Sequence, residues 1–309
     1  MVKKLKIIDW LVHGGHQYEF FKTGHHFSCT GVNGSPPKPE ELGRPRNKNV
    51  NYTHERKAMH DKFNILMIRA GIDPARYKNF KRRNKGILGI AVMQTYLPYK
   101  IPTWTKSVVW NSKAVMDKYR KDFPRQKHFY IPHGFDPREF DFLNLTRNQR
   151  VLSAASLFEK RKKVLGFDEW VWVSEKLGKC DLLGHGNDSR KESIGCYPLS
   201  KLARTYNKYS VFLNTTTRSA MPRTRAEALM CGTPIVTTKN FGIDRYLEDN
   251  KTCLFADTKE DMLKSVKKIL ESKQMQKDLG CAGRETAVKY FHIDEYLNKW
   301  DQVFEETLR

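Results

Sequence analysis

The sequence predicts two doubly wound α/β units, each built on a parallel sheet, with a ligand cleft between them. Three observations predict it. The 309 residues are too many for one ordinary core and suit two domains of about 150 residues each. Apolar, β-branched runs alternate with helix-patterned segments in both halves, which implies parallel strands joined by right-handed crossovers. A polar stretch near 136–149, from Asp136-Pro137-Arg138-Glu139-Phe140 to the featureless residues 144–150, reads as a hinge. At 39% hydrophobic and 12% aromatic residues the chain can fill two cores, so global disorder is excluded.

In the first half, residues 6–12 read as a strand ending at a glycine turn, His13-Gly14-Gly15-His16. The opening MVKKLKIIDWLV imitates a secretion signal. Its apolar part is short, carries Asp9 and lacks a small-residue cleavage site, so a first strand is expected instead. A short helix over 17–22 and a strand over 26–30 follow. Residues 31–52, rich in Pro, Gly and Asn, are expected to form a long loop, a length that is usually functional or mobile. Next come a polar helix (53–61), a strand (63–69), a basic segment (76–85) and strands over 86–95 and 107–111. A helix (112–121) and a strand (128–132) complete this half.

The second half alternates more cleanly. Strands are expected over 151–154, 180–184, 210–214 and 234–238, and helices over 168–177, Leu199–Lys208 and 224–230, the last stopped by Gly232. A strongly patterned helix over 258–272 opens with Thr258 as cap and Asp261 three residues on. Met262, Val266, Ile269 and Leu270 form its apolar stripe.

Composition narrows the function classes. The net charge of +22 is unevenly shared: residues 1–150 hold 29 Lys and Arg against 12 Asp and Glu, residues 151–309 hold 27 against 22. Such a field favours a polyanion or an anionic surface as partner, on the N-terminal half. Six cysteines show no CxxC pair and no zinc spacing, so buried, reduced thiols in a cytoplasmic protein are expected. No apolar run approaches the roughly 20 residues that span a bilayer, so no integral membrane segment is expected. The absence of a Walker motif and of GxGxxG argues against a P-loop ATPase or a dehydrogenase.

The sharpest stretch is 219–238, SAMPRTRAEALMCGTPIVTT. It reads as a loop entering a short helix, a glycine stop and an apolar strand. The loop and first helical turn expose unpaired N–H groups, and the helix dipole favours a diphosphate there. Glu227 lies about one turn in, placed to accept from sugar or ribose hydroxyls, and Arg218, Arg223 and Arg225 add positive charge. On spacing alone, an ordinary solvated crossover with an exposed Glu227 fits equally well.

This segment resembles the donor-site signature of family-4 glycosyltransferases, a Glu-x7-Glu motif followed by Ala-x-x-x-Gly-x-Pro-hydrophobic-Val. Glu227, Ala228, Gly232, Thr233, Pro234 and Val236 match; Ser219 stands where the first Glu falls. The resemblance implies the GT-B fold, two Rossmann-like domains facing across a cleft, with domains over 1–143 and 144–290. The last helix, over Ile293–Leu308 within 291–309, would cross back to the N-terminal domain. It also implies that Glu227 binds the nucleotide ribose and that the loop of Ser219, Ala220, Met221, Pro222 and Arg223 touches the sugar and diphosphate. Ile131-Pro132-His133-Gly134-Phe135-Asp136 is similar to the family's interdomain segment, and 109–112 to the strand end before it. Residues 151–163 are similar to the loop whose cations neutralise the donor diphosphate. Ser156 stands near the family's Arg, so Arg161 and Lys163 take that role. Gly184-His185-Gly186 is similar to the Gly-x-Gly turn after the second strand, and Gly14-Gly15 suggests a matching turn in the N-terminal domain. The implied reaction is transfer with retained configuration from a nucleotide-sugar, UDP-linked for instance, with no metal and no other cofactor. No Asp-x-Asp pair, the metal clamp of the other main glycosyltransferase fold, occurs. The segment 92–95 lacks the family's N-domain histidine. His13 and His16 are substitutes by position, or ordinary exposed loop histidines.

The acceptor is expected on the basic half. Its densest cluster, Arg76-Tyr77-Lys78-Asn79-Phe80-Lys81-Arg82-Arg83-Asn84-Lys85, interleaves aromatics with cations. Arg76, Lys78, Lys81, Arg82, Arg83 and Lys85 would neutralise phosphates while the rings stack on bases. The same mix can dock on an anionic membrane, or form a solvated loop over a buried Phe80. Hydroxymethylated bases in DNA, as for bacteriophage-type DNA glycosyltransferases (host cytoplasm if viral), are the leading acceptor. Glycolipid or surface-polysaccharide synthesis at a membrane is the alternative, and an inactive nucleic-acid-binding relative the third reading.

Overall fold

The computed structural model describes residues 4–38, 43–240 and 242–309. Two compact α/β units make up the chain: Met1–Gly134 with Ile293–Arg309, and Phe135–His292. The division falls at Gly134 rather than at 143, because residues 135–143 pack within unit 2. Phe135 bridges to His292, the Phe140 ring lies against Phe135, and the Leu143 amide donates to Asn207 Oδ1 at 2.8 Å.

Unit 1 holds β1 (Lys6–Leu11), β2 (His26–Gly31), β3 (Val50–Tyr52), β4 (Ile65–Ile68), β5 (Leu88–Met93), β6 (Thr105–Trp110) and β7 (Lys127–Tyr130). They form one parallel sheet in the order β3-β2-β1-β4-β5-β6-β7. Strands covered on both faces read as unbroken apolar runs, and Ile7, Ile8 and Trp10 of β1 and all four residues of β4 are buried. The helices are α1 (Gly14–Phe21), α2 (Glu55–Ala58), α3 (Pro74–Arg83) and α4 (Lys113–Tyr119).

Three local readings change. The glycine pair is not a turn but the start of α1, because His13 Nδ1 accepts from the His16 amide and caps the helix. The 31–52 loop carries β3, paired with β2, and its residues 39–42 lie outside the described residues. The basic segment is mostly helix: Asp73 caps α3 through the Ala75 amide, and Tyr77 and Phe80 are buried against Trp10.

Unit 2 holds β8 (Asn148–Ala154), β9 (Cys180–Leu183), β10 (Tyr209–Asn214), β11 (Ile235–Thr237) and β12 (Leu254–Phe255), parallel in the order β12-β11-β10-β8-β9. Its helices are α5 (Lys162–Leu165), α6 (Phe167–Leu177), α7 (Leu199–Lys208), α8 (Arg223–Met230), α9 (Lys259–Leu270) and α10 (Lys273–Phe291). Thr258 caps α9 as its spacing predicts, accepting from the Asp261 amide. Helix α10 escapes the sequence pattern because Gly280 and Gly283 break its apolar stripe. Packing explains them: a Cβ at Gly280 would stand 2.4 Å from Gly232 O, and one at Gly283 2.8 Å from Leu229 Cδ2. Of the six thiols, Cys29, Cys180, Cys231 and Cys253 are buried as expected, whereas Cys196 and Cys281 are exposed.

The C-terminal helix (Ile293–Leu308) belongs to unit 1. Ile293, Tyr296, Trp300, Val303, Phe304 and Thr307 are buried, one stripe at helical spacing. Trp300 packs 4.4 Å from the Phe20 ring, and the Thr307 hydroxyl bonds that of Ser107 on β6 at 2.7 Å. Trp300→Ala should therefore cost unit 1 about 3–5 kcal/mol, read as an earlier urea transition. A loss below about 1 kcal/mol would show that this helix is dispensable to the core.

Candidate active site

In a parallel sheet, ligands bind beyond the carboxyl ends of the strands, where the strand order reverses. In unit 2 that point lies between β8 and β10, so the loops 155–161 and 215–222 flank it. The first loop is locked by Asn187, whose Nδ2 donates to Ala155 O at 2.7 Å and Gly184 O at 2.9 Å while its Oδ1 accepts from the Phe158 amide. Gly184 has φ +135, and a Cβ there would meet Ala155 O at 2.2 Å. Only glycine permits that approach. Gly186, at φ +70, completes the turn beside Leu157. Arg161 and Lys163 follow this loop and are exposed. Desolvation lowers the Arg161 pKa, yet an arginine remains cationic at neutral pH.

The second loop is tied to the first. The amides of Thr217 and Arg218 both donate to Val164 O at 3.0 Å, and Thr215 Oγ1 donates to Leu165 O at 2.7 Å. Beyond Ser219, which is half-buried, come the buried Ala220, Met221 and Pro222, and then α8 begins at the buried Arg223. Pro222 stands at the N-cap and supplies no side-chain cap, and the first turn holds no acid. A helix start lacks intrahelical partners for its first N–H groups and carries positive potential.

Glu227, one turn in, is only 3% exposed. Tyr206 Oη donates to its Oε2 at 3.0 Å, and Arg223 Nη2 stands 3.6 Å from its Oε1. The Arg223 guanidinium lies 4.5 Å over the Phe135 ring. The alternative of an exposed, solvated Glu227 is thus overturned: this carboxylate is an interior acceptor, with Tyr206 and Arg223 beside it.

Unit 1 reverses its strand order between β1 and β4, and a buried polar knot occupies that point. Arg69 pairs with Asp9 through two bonds, Nε to Oδ1 at 2.9 Å and Nη2 to Oδ2 at 2.7 Å. Burial alone would lower the Arg69 pKa, but the Asp9 charge and hydrogen bonds outweigh it and raise it. Gln17 Nε2 donates to Asp9 Oδ2 and Trp10 O, and its Oε1 accepts from the Val12 and His13 amides. The knot thereby fixes the backbone that delivers Gly14, Gly15 and the two histidines.

His13 is exposed, but His16 is buried at 3% exposure and is no loop histidine. Its ring lies 5.4 Å from that of His133, its Nε2 is 3.5 Å from Tyr296 Oη, and Asn111 Nδ2 is 3.4 Å from His133 Nε2. Sequence reasoning did not bring Asn111, His133 and Tyr296 together with His16. His133 and Asn111 sat inside quoted segments, but nothing local announced that four segments converge on His16.

The basic cluster divides. Arg76 is bound to Glu55 and to Val32 O, and Lys81 Nζ donates to Lys85 O and Ile87 O, both at 2.8 Å. Lys78, Arg82, Arg83 and Lys85 are exposed. Stacking of Tyr77 and Phe80 on bases is ruled out, because each is 2% exposed. Among the described residues, no group of three or more His, Cys, Asp or Glu is placed to hold a metal ion, and no helix is long and apolar enough to cross a membrane.

Residues 148–302 match the family of glycosyl transferase-like proteins, just over half of the chain and most of unit 2. The chain belongs to that family. A glycosyltransferase from Rickettsia africae ESF-5 has a similar structure, with TM-score 0.71 at 16% identity over 99% of each chain. The Anabaena protein Alr3699/HepE, solved with UDP-glucose, gives 0.73 at 10% identity over 97% of this chain and 99% of its own. A sucrose-phosphate synthase from Thermosynechococcus elongatus gives 0.71 at 14% identity over 98% and 99%. The fold is therefore the GT-B fold. No curated protein matches by sequence.

In this glycosyltransferase the 215–218 loop depends on Gly166, which has φ +69 and would place a Cβ 2.2 Å from Thr215 O. Gly166→Ala combines that clash with a left-handed backbone costing about 1–2 kcal/mol for a non-glycine residue. We expect a loss above about 2 kcal/mol in urea titration of unit 2. An unchanged midpoint would mean that the two loops are not held together here.

Proposed function

We propose that this glycosyltransferase takes a sugar from a nucleotide-sugar and delivers it to a polyanionic acceptor, DNA with hydroxymethylated bases. The observation that carries the donor half is the uncapped start of α8, free of acids in its first turn, at the switch point of unit 2. There the amides after Ser219, with Arg161 and Lys163 across the shared rim, would offset a diphosphate as it departs. Electrostatic stabilisation of that kind needs positive charge in fixed positions, which side chains and a helix end supply without a resident metal. Glu227, an interior carboxylate one turn into α8, would accept from the ribose hydroxyls. The UDP-glucose bound by the Anabaena structure makes UDP-sugars the first donors to try.

The acceptor half is favoured by the surface of α3. Unit 1 carries 28 Lys and Arg against 14 Asp and Glu, and α3 exposes Lys78, Arg82 and Arg83, with the small Pro74 and Ala75 of its first turn as its exposed apolar residues. Helices that lie on bilayers need an apolar face for the lipid; the apolar face of α3 is spent on the unit 1 core. A phosphate backbone needs only the charges.

Two measurements test the halves separately. Glu227→Gln keeps an oxygen for Tyr206 but removes the charge, and should weaken UDP-sugar binding by about 1.5–3 kcal/mol in calorimetry. Unchanged affinity would end the ribose role. Charge reversal at Arg82 and Arg83 should weaken DNA binding and flatten its salt dependence by roughly one to two units of log–log slope, with labelled-sugar transfer falling in parallel. Flotation with anionic liposomes, with no transfer to DNA, would replace DNA by a membrane acceptor.

A further inference from the structure

Among the described residues, Arg225 is a charge without a counter-charge. It lies in the first turn of α8, where the helix dipole is already positive, and it is 2% exposed. Its hydrogen bonds both leave from Nη1, to Thr237 Oγ1 at 3.2 Å and Asn240 Oδ1 at 3.3 Å, and both acceptors are neutral. Among the described residues it makes no ion pair with a carboxylate. Arg69, the comparable buried arginine of unit 1, shows the usual solution: a two-bond pairing with Asp9. Burying an arginine unpaired is costly, and the same interior shifts its pKa down to about 10 through desolvation. A guanidinium has five N–H donors, and Nη1 accounts for two.

Its neighbours locate it. Thr237 ends β11 and donates to Asn214 Oδ1 at the end of β10. Asn214 Nδ2 reaches Thr216 Oγ1, and Asn240 and Thr238 donate to Thr216 O. Arg225 therefore underlies the loop that flanks the switch point, one strand from where the diphosphate is placed. A folded chain retains such an unfavourable charge where a ligand later supplies the missing anion, since interactions optimised for a ligand are strained in its absence.

We propose that Arg225 is a positioning residue for the donor: a buried counter-charge that the nucleoside diphosphate completes, acting through the field at the switch point and through the Thr216 loop. This rests on the donor-site reading above. It assigns to α8 a cation that complements Arg161 and Lys163 on the opposite loop, where Ser156 supplies none.

The test is Arg225→Gln, which keeps an amide donor for Thr237 or Asn240 and removes the charge, with Arg225→Lys as the charge-conserving control. The probes are UDP and uridine, titrated by calorimetry, with melting temperature measured in the absence of ligand. We expect Arg225→Gln to melt at or above the wild-type temperature, to bind UDP at least tenfold more weakly, and to leave uridine affinity within twofold. Arg225→Lys should recover most of the UDP affinity. A lower melting temperature for Arg225→Gln with UDP affinity intact would make Arg225 a structural residue and overturn the proposal. If the wild type itself takes none of UDP, GDP, ADP, CDP and dTDP, the donor site falls and this role with it. If the wild type binds UDP and Arg225→Gln binds it equally, this role alone falls.

Discussion

Two backbone bonds hold the unit 2 site in being. The amides of Thr217 and Arg218 converge on one carbonyl, Val164 O, and so join the loop after β10 to the turn after β8. A bare glycine at 166 allows the approach, with Thr215 O where a side chain would otherwise stand. Everything proposed for the donor hangs on that junction. It sets where α8 begins, and therefore where its first amides point, and it sets Lys163 on the same rim. Catalysis by fixed dipoles works only when the dipoles do not have to move.

The two units meet the same problem in opposite ways. Unit 1 fills its switch point with a charge-paired network, Arg69 to Asp9 to Gln17 to the backbone of Val12 and His13, a device for holding a turn still. Unit 2 leaves its switch point electropositive, with a helix start that has no side-chain cap, cations on both loops and, among the described residues, no acid paired with the buried Arg225. A charge-balanced network rigidifies, whereas an unbalanced one is poised for a partner of opposite sign. The contrast supports the proposal that unit 2 takes the donor.

Much of the fold was legible because its signals are local. The α7 helix and the C-terminal helix stand at their expected bounds, and Thr258 caps α9 through Asp261. What failed needed tertiary knowledge. Helix α10 hides behind two glycines that exist to let it approach Gly232 and Leu229. The basic cluster looked like a stacking platform because sequence alone does not say that Tyr77 and Phe80 turn toward Trp10. The convergence of His16, His133, Asn111 and Tyr296 joins residues up to 280 positions apart. The loop before Glu227 stood out through the resemblance of 219–238 to a donor-site signature, but the carboxylate's neighbours Tyr206 and Arg223 were not legible as such.

The most direct measurement is amide hydrogen exchange of the full chain with and without UDP-glucose. Helix-start amides without internal partners exchange readily, and a bound diphosphate would take them as donors. The account predicts slowed exchange concentrated in 219–225 and in 155–163. Binding that leaves those two segments unchanged, with protection elsewhere, would contradict it.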